Sequence, residues 1–126
     1  MFELKIVKKP WGEEHWLEFN QKYCYKRIYI NAGTRTSFQY HEQKLETNFI
    51  ASGEAEIWLE DDVGVIQKTK MGPGEYFTVK PPRKHRVIAL TDIVLMEVST
   101  PEVDDVIRIQ DDTARPDGRI ETEHFL

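Results

Sequence analysis

Residues 23–59 read YCYKRIYINAGTRTSFQYHEQKLETNFIASGEAEIWL. Aromatic and β-branched side chains crowd 23–30, and Asn31-Ala32-Gly33 ends that run. A second run covers 34–40, and a third covers 47–51 and closes at Ser52-Gly53. Residues 54–59 alternate polar with apolar side chains up to the acidic turn Glu60-Asp61-Asp62. Short runs of this composition, bounded by turn residues, are strand signals. The pattern continues through 65–71, 76–79, 86–90 and 93–98, with Gly72-Pro73-Gly74, Pro81-Pro82 and Thr91-Asp92 between them. Many short strands with close turns predict an all-β sandwich or small barrel.

Outward from this stretch the signal changes. Residues 101–109 are expected to hold a helical turn or two. Residues 111–126 are polar, with Pro116-Asp117-Gly118 as a turn, and read as a surface tail or an arm packing on a partner subunit. The chain of 126 residues is expected to form one domain, its barrel over about 20–100 and the segment 101–126 packed outside it.

Hydrophobic residues make up 40% of the chain, enough for a core, and charged residues 31%. The net charge of −5 speaks against a nucleic-acid partner, which usually leaves a basic footprint. Cys24 is the single cysteine, so neither an intrachain disulfide nor a multi-cysteine zinc site is available. No apolar run approaches about 18 residues, so no membrane partner is expected. The N-terminal residues show no signal-peptide core, and a cytoplasmic location is the expectation.

Two of the four histidines, His41 and His85, stand in informative surroundings. On an extended strand Ser37, Gln39, His41 and Gln43 share one polar face. Glu46 follows shortly after, and His85 opens an apolar strand behind Pro81-Pro82. Two imidazoles and a carboxylate, brought together inside a barrel, suit a divalent transition metal. Gln43 is either a neutral oxygen ligand or a residue standing behind the ligands. His15 and His124 read as structural or solvated.

The spacing resembles a cupin. Gly33, His41, Glu42-Gln43, Glu46 and Gly53 follow the first cupin motif, with Gln43 where the second His usually stands. Gly74, Lys80-Pro81-Pro82 and His85 follow the second, with Lys80 in place of Pro and Pro82 in place of Gly. Within the cupins the chain resembles the type II mannose-6-phosphate isomerases from about Lys9 to Arg115. Lys9-Pro10-Trp11-Gly12 looks like that family's KPWG, and Tyr25-Lys26-Arg27-Ile28 like its lysine-bearing strand. The decapeptide SFQYHEQKLE over 37–46 looks like its S-L-Q-M-H-H-H-R-A-E, with Lys44 where the family has Arg. VDDVIRIQDD over 103–112 looks like its acidic C-terminal segment.

The resemblance implies a cupin barrel (a double-stranded β-helix, or jelly roll) with a divalent metal ion inside, Zn, Mn, Ni, Co or Fe. The implied ligands are His41, Gln43, Glu46 and His85. It implies a sugar-phosphate isomerase or epimerase acting by proton transfer, with Lys44 and Lys26 as catalytic residues. Ser37, Gln39, Arg86 and Arg108 are the expected substrate contacts. The expected partner is a small anionic sugar or nucleotide sugar. A homodimer is expected by analogy of fold, through an edge strand or N-terminal arm.

Each candidate has a plainer reading. Lys26 shares a face with Cys24, Ile28 and Ile30, so it either pairs inside with Glu46 or a phosphate or snorkels to water. Arg83, Lys84, His85 and Arg86 are either a phosphate-attracting cluster or a basic solvated turn. Arg108 either reaches the pocket or forms a salt bridge to a neighbouring aspartate. Trp11, Trp16 and Trp58 read as core or interface aromatics, and Cys24 as a strand filler. Two other functions fit the residues: a sugar-binding cupin without catalysis, and an Fe(II) oxygenase built on His41, Glu46 and His85.

Overall fold

The structure, a computed structural model, describes residues 3–110 and 118–120. Two six-stranded antiparallel sheets face each other. The first runs β1(Lys5–Lys9), β2(Gly12–Phe19), β3(Cys24–Ile30), β10(Ile93–Ser99), β5(Glu46–Ser52), β8(Tyr76–Val79). The second runs β12(Gly118–Ile120), β11(Val106–Gln110), β4(Phe38–Tyr40), β9(His85–Ala89), β6(Ala55–Glu60), β7(Ile66–Met71). Among the described residues no helix is long and apolar enough to cross a membrane.

Strand alternation sorts the side chains. β3 buries Cys24, Lys26, Ile28 and Ile30 and turns Tyr25, Arg27 and Tyr29 outward. Its register with β10 and β5 stacks the inward residues in layers. Ile30 lies opposite Ile93, and Leu95 lies between Ile28 and Ile50. These residues join Trp11, Ile57, Val79 and Val87 in the main core. Burying each isoleucine contributes roughly 1.5–3 kcal/mol. The next layer is polar: Glu97 sits between Lys26 and Asn48. Beyond it, Ser99 lies between Cys24 and Glu46. The same strands therefore close an apolar core at one end and line a polar interior at the other.

Turns hold this arrangement. At the β5–β6 hairpin Gly53 has φ +89°, and a Cβ there would lie 2.1 Å from the Asp92 carbonyl oxygen. Only glycine fits both demands.

Two parts of the chain differ from the sequence expectation. The first sheet takes in β1 and β2, ahead of the barrel start expected near residue 20. Their outward positions carry Lys8, Glu13 and His15, which masked the strand pattern. The helical turn expected over 101–109 is instead a set of tight turns followed by β11, which pairs with β4. Val106, Arg108 and their neighbours alternate inward and outward, a period of two that aspartates at 104 and 105 obscured. The tail expected over 111–126, with His124, lies outside the described residues apart from the β12 backbone, which pairs with β11.

Candidate metal centre

His41, Glu46 and His85 come together, all three buried. His41 follows β4, Glu46 opens β5, and His85 opens β9, so both sheets contribute. Glu46 Oε1 lies 2.9 Å from His41 Nε2 and 3.6 Å from His85 Nε2. The far side of each imidazole is fixed. His41 Nδ1 donates to the Asp105 carbonyl at 2.5 Å, and His85 Nδ1 donates to the Arg83 carbonyl at 3.0 Å. A carbonyl only accepts, so each ring carries a proton on Nδ1 and turns Nε2 toward Glu46.

His41 Nε2 is buried and makes no hydrogen bond despite the nearby carboxylate. A cation between Nε2 and the carboxylate, a proton or a metal ion, would satisfy both atoms across this 2.9 Å gap. Around a tetrahedral ion with ligands near about 2.1 Å, donor atoms stand about 3.4 Å apart. The observed separations bracket that spacing, and two nitrogens with one oxygen suit a divalent transition metal. Burial first, and then the charge of His41, pull His85 down to about 4 against the attraction of Glu46. The ring is therefore neutral, as a ligand must be.

The loop that delivers His41 is built around Asp105. Its carboxylate accepts the backbone N–H groups of Glu42, Gln43 and Lys44 at 3.2, 2.7 and 3.1 Å. These bonds hold the Asp105 carboxyl below its ordinary range despite the cost of burial. The chain thus leaves the strand at His41, and the shared face expected for Ser37, Gln39, His41 and Gln43 ends there. His41 turns inward while Gln43 is exposed, and its side chain does not join the cluster.

A cavity of about 80 Å³ opens beside the three donors. Lys44 is buried, with Nζ 3.2 Å from Glu97 Oε2 and 3.9 Å from Glu46 Oε1. Burial opposes its charge, but Glu97, Glu46 and Glu14 outweigh that and raise Lys44 well above the usual lysine range. Glu46 is held far below the usual carboxylate range: burial opposes its charge, and Lys44 and the two histidines overcome it. Glu97 moves the other way, raised by burial and by the charge of Glu46. Asn48 donates to Glu46 Oε2 at 2.9 Å and fixes the carboxylate.

Lys26 is buried, so it does not snorkel, and its partner is neither Glu46 nor open water. Nζ lies 3.2 Å from Glu14 Oε1 and 4.4 Å from the Trp16 ring centre. Trp16 Nε1 donates to the same Glu14 oxygen at 3.1 Å. Ser37 and Gln39 line the cavity, with Ser37 Oγ donating to Gln39 Oε1 at 2.5 Å.

Arg86 and Arg108 are not brought to the cavity, although both are buried. Arg86 packs 5.6 Å from the Trp58 ring and donates from Nε to the Thr36 carbonyl at 3.0 Å. Arg83 likewise serves the β6–β7 turn, paired with Asp62 and donating to the Glu60 carbonyl. The basic cluster is therefore divided, and only His85 faces the donors. Cys24 is a buried strand residue whose thiol burial pushes up.

The sequence reading missed Glu14, Glu97, Asn48 and Asp105. Glu97 alternates with Leu95 and Ser99, and Glu14 with Trp16, so period-two burial could have found both. Asp105 had no local signal, since its role depends on the loop across from it.

The family model of the cupin domain matches residues 26–99, more than half of the chain. The chain belongs to the cupin family. This cupin is 30% identical over 112 residues to the xanthan biosynthesis protein XanB of Xanthomonas campestris pv. campestris (strain B100), covering 86% of this chain and 23% of that one. It is 27% identical over 108 residues to the mannose-1-phosphate guanylyltransferase of Escherichia coli (strain K12), covering 83% of this chain and 22% of that one. This cupin thus spans about a quarter of the length of these relatives. Among solved structures it superimposes on the capsular polysaccharide assembling protein CapF of Staphylococcus aureus with TM-score 0.74 at 14% identity, over 88% of this chain and 35% of that one. That likeness shows the jelly-roll fold. Relatives of this cupin are therefore proteins of sugar and polysaccharide biosynthesis.

Proposed function

We propose that this cupin is a metal-dependent sugar-phosphate isomerase or epimerase acting on a mannose-6-phosphate-like substrate. The observation that carries the reading is the convergence of His41 Nε2, His85 Nε2 and Glu46 Oε1 beside a cavity with buried lysines. His41, Glu46 and His85 would hold Mn, Co, Ni, Zn or Fe, and the bound metal would polarise the sugar's carbonyl and hydroxyl oxygens. Isomerisation moves a proton from C2 to C1 and another from the C2 oxygen to the C1 oxygen, with no net redox change.

The residues divide this work. Lys44 keeps its proton against strong opposition, so it stabilises negative charge on a substrate oxygen rather than removing a carbon-bound proton. Glu97 faces the same cavity with its carboxyl raised above the ordinary range, the property wanted in a proton carrier. Lys26 positions Glu14 and the cavity wall. Ser37 and Gln39 offer hydrogen bonds to sugar hydroxyls. The small cavity takes the reacting end of the sugar and leaves the phosphate toward the mouth. A cytoplasmic location accords with such a substrate.

The test is aldose–ketose exchange of hexose 6-phosphates by chelator-treated protein after adding Mn, Co, Ni, Zn or Fe(II). Turnover of mannose 6-phosphate or a close relative supports the reading. No turnover with any metal, across mannose, glucose and aminosugar phosphates, overturns it. One observation favours a second reading, a sugar-binding cupin without catalysis. Gln43 is exposed, and the two buried cavity lysines, Lys26 and Lys44, already face carboxylates. In that case the ligand raises the melting temperature and is recovered unchanged.

A further inference from the structure

Asn48 is 2% exposed and lines the cavity beside the three donors. On β5 it shares the inward face of Glu46 and Ile50, with Glu97 of β10 on one side and Phe77 of β8 on the other. One bond fixes the orientation of its amide. Nδ2 donates to Glu46 Oε2 at 2.9 Å. Glu46 is ionised and can only accept, so the NH2 group must face it. Oδ1 then has to face away from Glu46. That oxygen is buried and accepts no hydrogen bond among the described residues. Phe77 has no donor to offer, and Lys44 turns its ammonium to Glu97.

We infer that Asn48 Oδ1 accepts a hydrogen bond from a sugar hydroxyl, the one on C3, and so selects which sugars the site takes. This contact rests on the sugar-phosphate reading of the site and adds a specificity residue to it. A buried acceptor without a partner is costly, and native proteins leave few of them. The atom that pairs with it has to donate. A hydroxyl does, whereas an ionised phosphate or carboxylate only accepts. A phosphate here would also stand beside the Glu46 carboxylate, so the phosphate end of the ligand lies elsewhere.

The choice of hydroxyl follows from the geometry at Glu46. Its Oε1 faces the two imidazoles, 2.9 and 3.6 Å away, and its Oε2 faces Asn48. An ion held by His41, Glu46 and His85 would take the C1 and C2 oxygens, between which the isomerisation runs. Asn48 stands on the far side of the carboxylate from that point, and the next donor along the sugar chain is the C3 hydroxyl. Gln39, the other amide lining the cavity, has its oxygen engaged by Ser37 Oγ. Asn48 therefore carries the amide oxygen left open to a ligand. It touches the sugar without touching a reacting atom, so it acts on the choice of substrate and not on the proton transfers.

Isothermal titration of mannitol 6-phosphate and its 3-deoxy counterpart into Zn-saturated protein tests this, since neither alcohol can isomerise. Wild type should bind the compound with the C3 hydroxyl about 10–100-fold more tightly, the effect of leaving a buried acceptor unpaired. Asn48→Leu, folded by circular dichroism and saturated with Zn, should bind the two compounds equally. Should Asn48→Leu fail to fold, Asn48→Ala takes its place. A residue that merely steadied Glu46 would, when replaced, weaken both ligands and keep the preference. Equal binding of both compounds by wild type overturns the inference, and so does a preference that the folded Asn48 variant retains. Turnover of mannose 6-phosphate is measured separately. Its absence beside an intact preference for the C3 hydroxyl overturns the isomerase reading and supports the Asn48 contact. Turnover beside equal binding does the reverse, and binding of neither alcohol at millimolar concentration overturns both.

Discussion

Replacing Lys44 with methionine removes the cation on which two buried carboxylates depend. Glu97 lies 3.2 Å and Glu46 3.9 Å from its ammonium. At an effective dielectric constant near 20, those distances correspond to about 5 and about 4 kcal/mol of attraction. Much of this offsets desolvation in the native protein, so the net loss on removing one partner is about 3–5 kcal/mol. For a domain of this size that lowers the melting temperature by roughly 12–20 °C. Urea unfolding of metal-free protein at pH 7 measures the loss. Glu97→Gln in the Lys44→Met background should restore about 2 kcal/mol or more, because the stranded charge is gone. Saturating Zn should shrink the penalty of the single variant, since a bound cation neutralises Glu46. A Lys44→Met cost below about 1 kcal/mol, with no coupling to Glu97, would refute the reasoning.

Three more outcomes follow from the same geometry. Burial lowers His85 from 6.5 to about 4, so the unfolded chain binds the proton first as pH falls. Its contribution is complete above pH 6.5 and is lost between 6.5 and 4, by about 3 kcal/mol; urea melts of metal-free wild type should lose correspondingly more than those of His85→Gln over that window. Asp105→Ala strands three backbone donors and frees the loop behind His41. Isothermal titration should show metal affinity down about 10–100-fold, the range for lost outer support of a ligand. Gly53→Ala forces a Cβ against the Asp92 carbonyl at a positive φ, and thermal melts should register a cost of about 1–3 kcal/mol.

How far the residues revealed the molecule depended on how local each signal was. Strands such as Tyr76–Val79 and Cys24–Ile30 were legible because aromatic and β-branched runs meet clear turns. His41, Glu46 and His85 were legible because motif spacing tracks the strand ends that bring them together. β2 was not, since Glu14 looks like a solvent residue until Lys26 and Trp16 are seen beside it. Gln43 was misplaced because strand alternation was carried past Tyr40. The break comes from Asp105, 62 residues away, which gathers three N–H groups. Arg86 resembled a substrate contact by position, yet it alternates with His85 and Val87, which line the cavity, and packs on Trp58 instead; Arg108 shares the inward face of Val106 but is not part of the cavity lining. Pairing of buried charges is a property of sheet register, and register is not written in any one segment.

The most direct test of the account is isothermal titration of Mn, Co, Ni and Zn into chelator-treated protein, beside Glu46→Gln and His41→Ala. The account predicts one ion per chain in the wild type and loss of that binding in both variants. Absence of binding in the wild type, or equal binding in all three proteins, would contradict it.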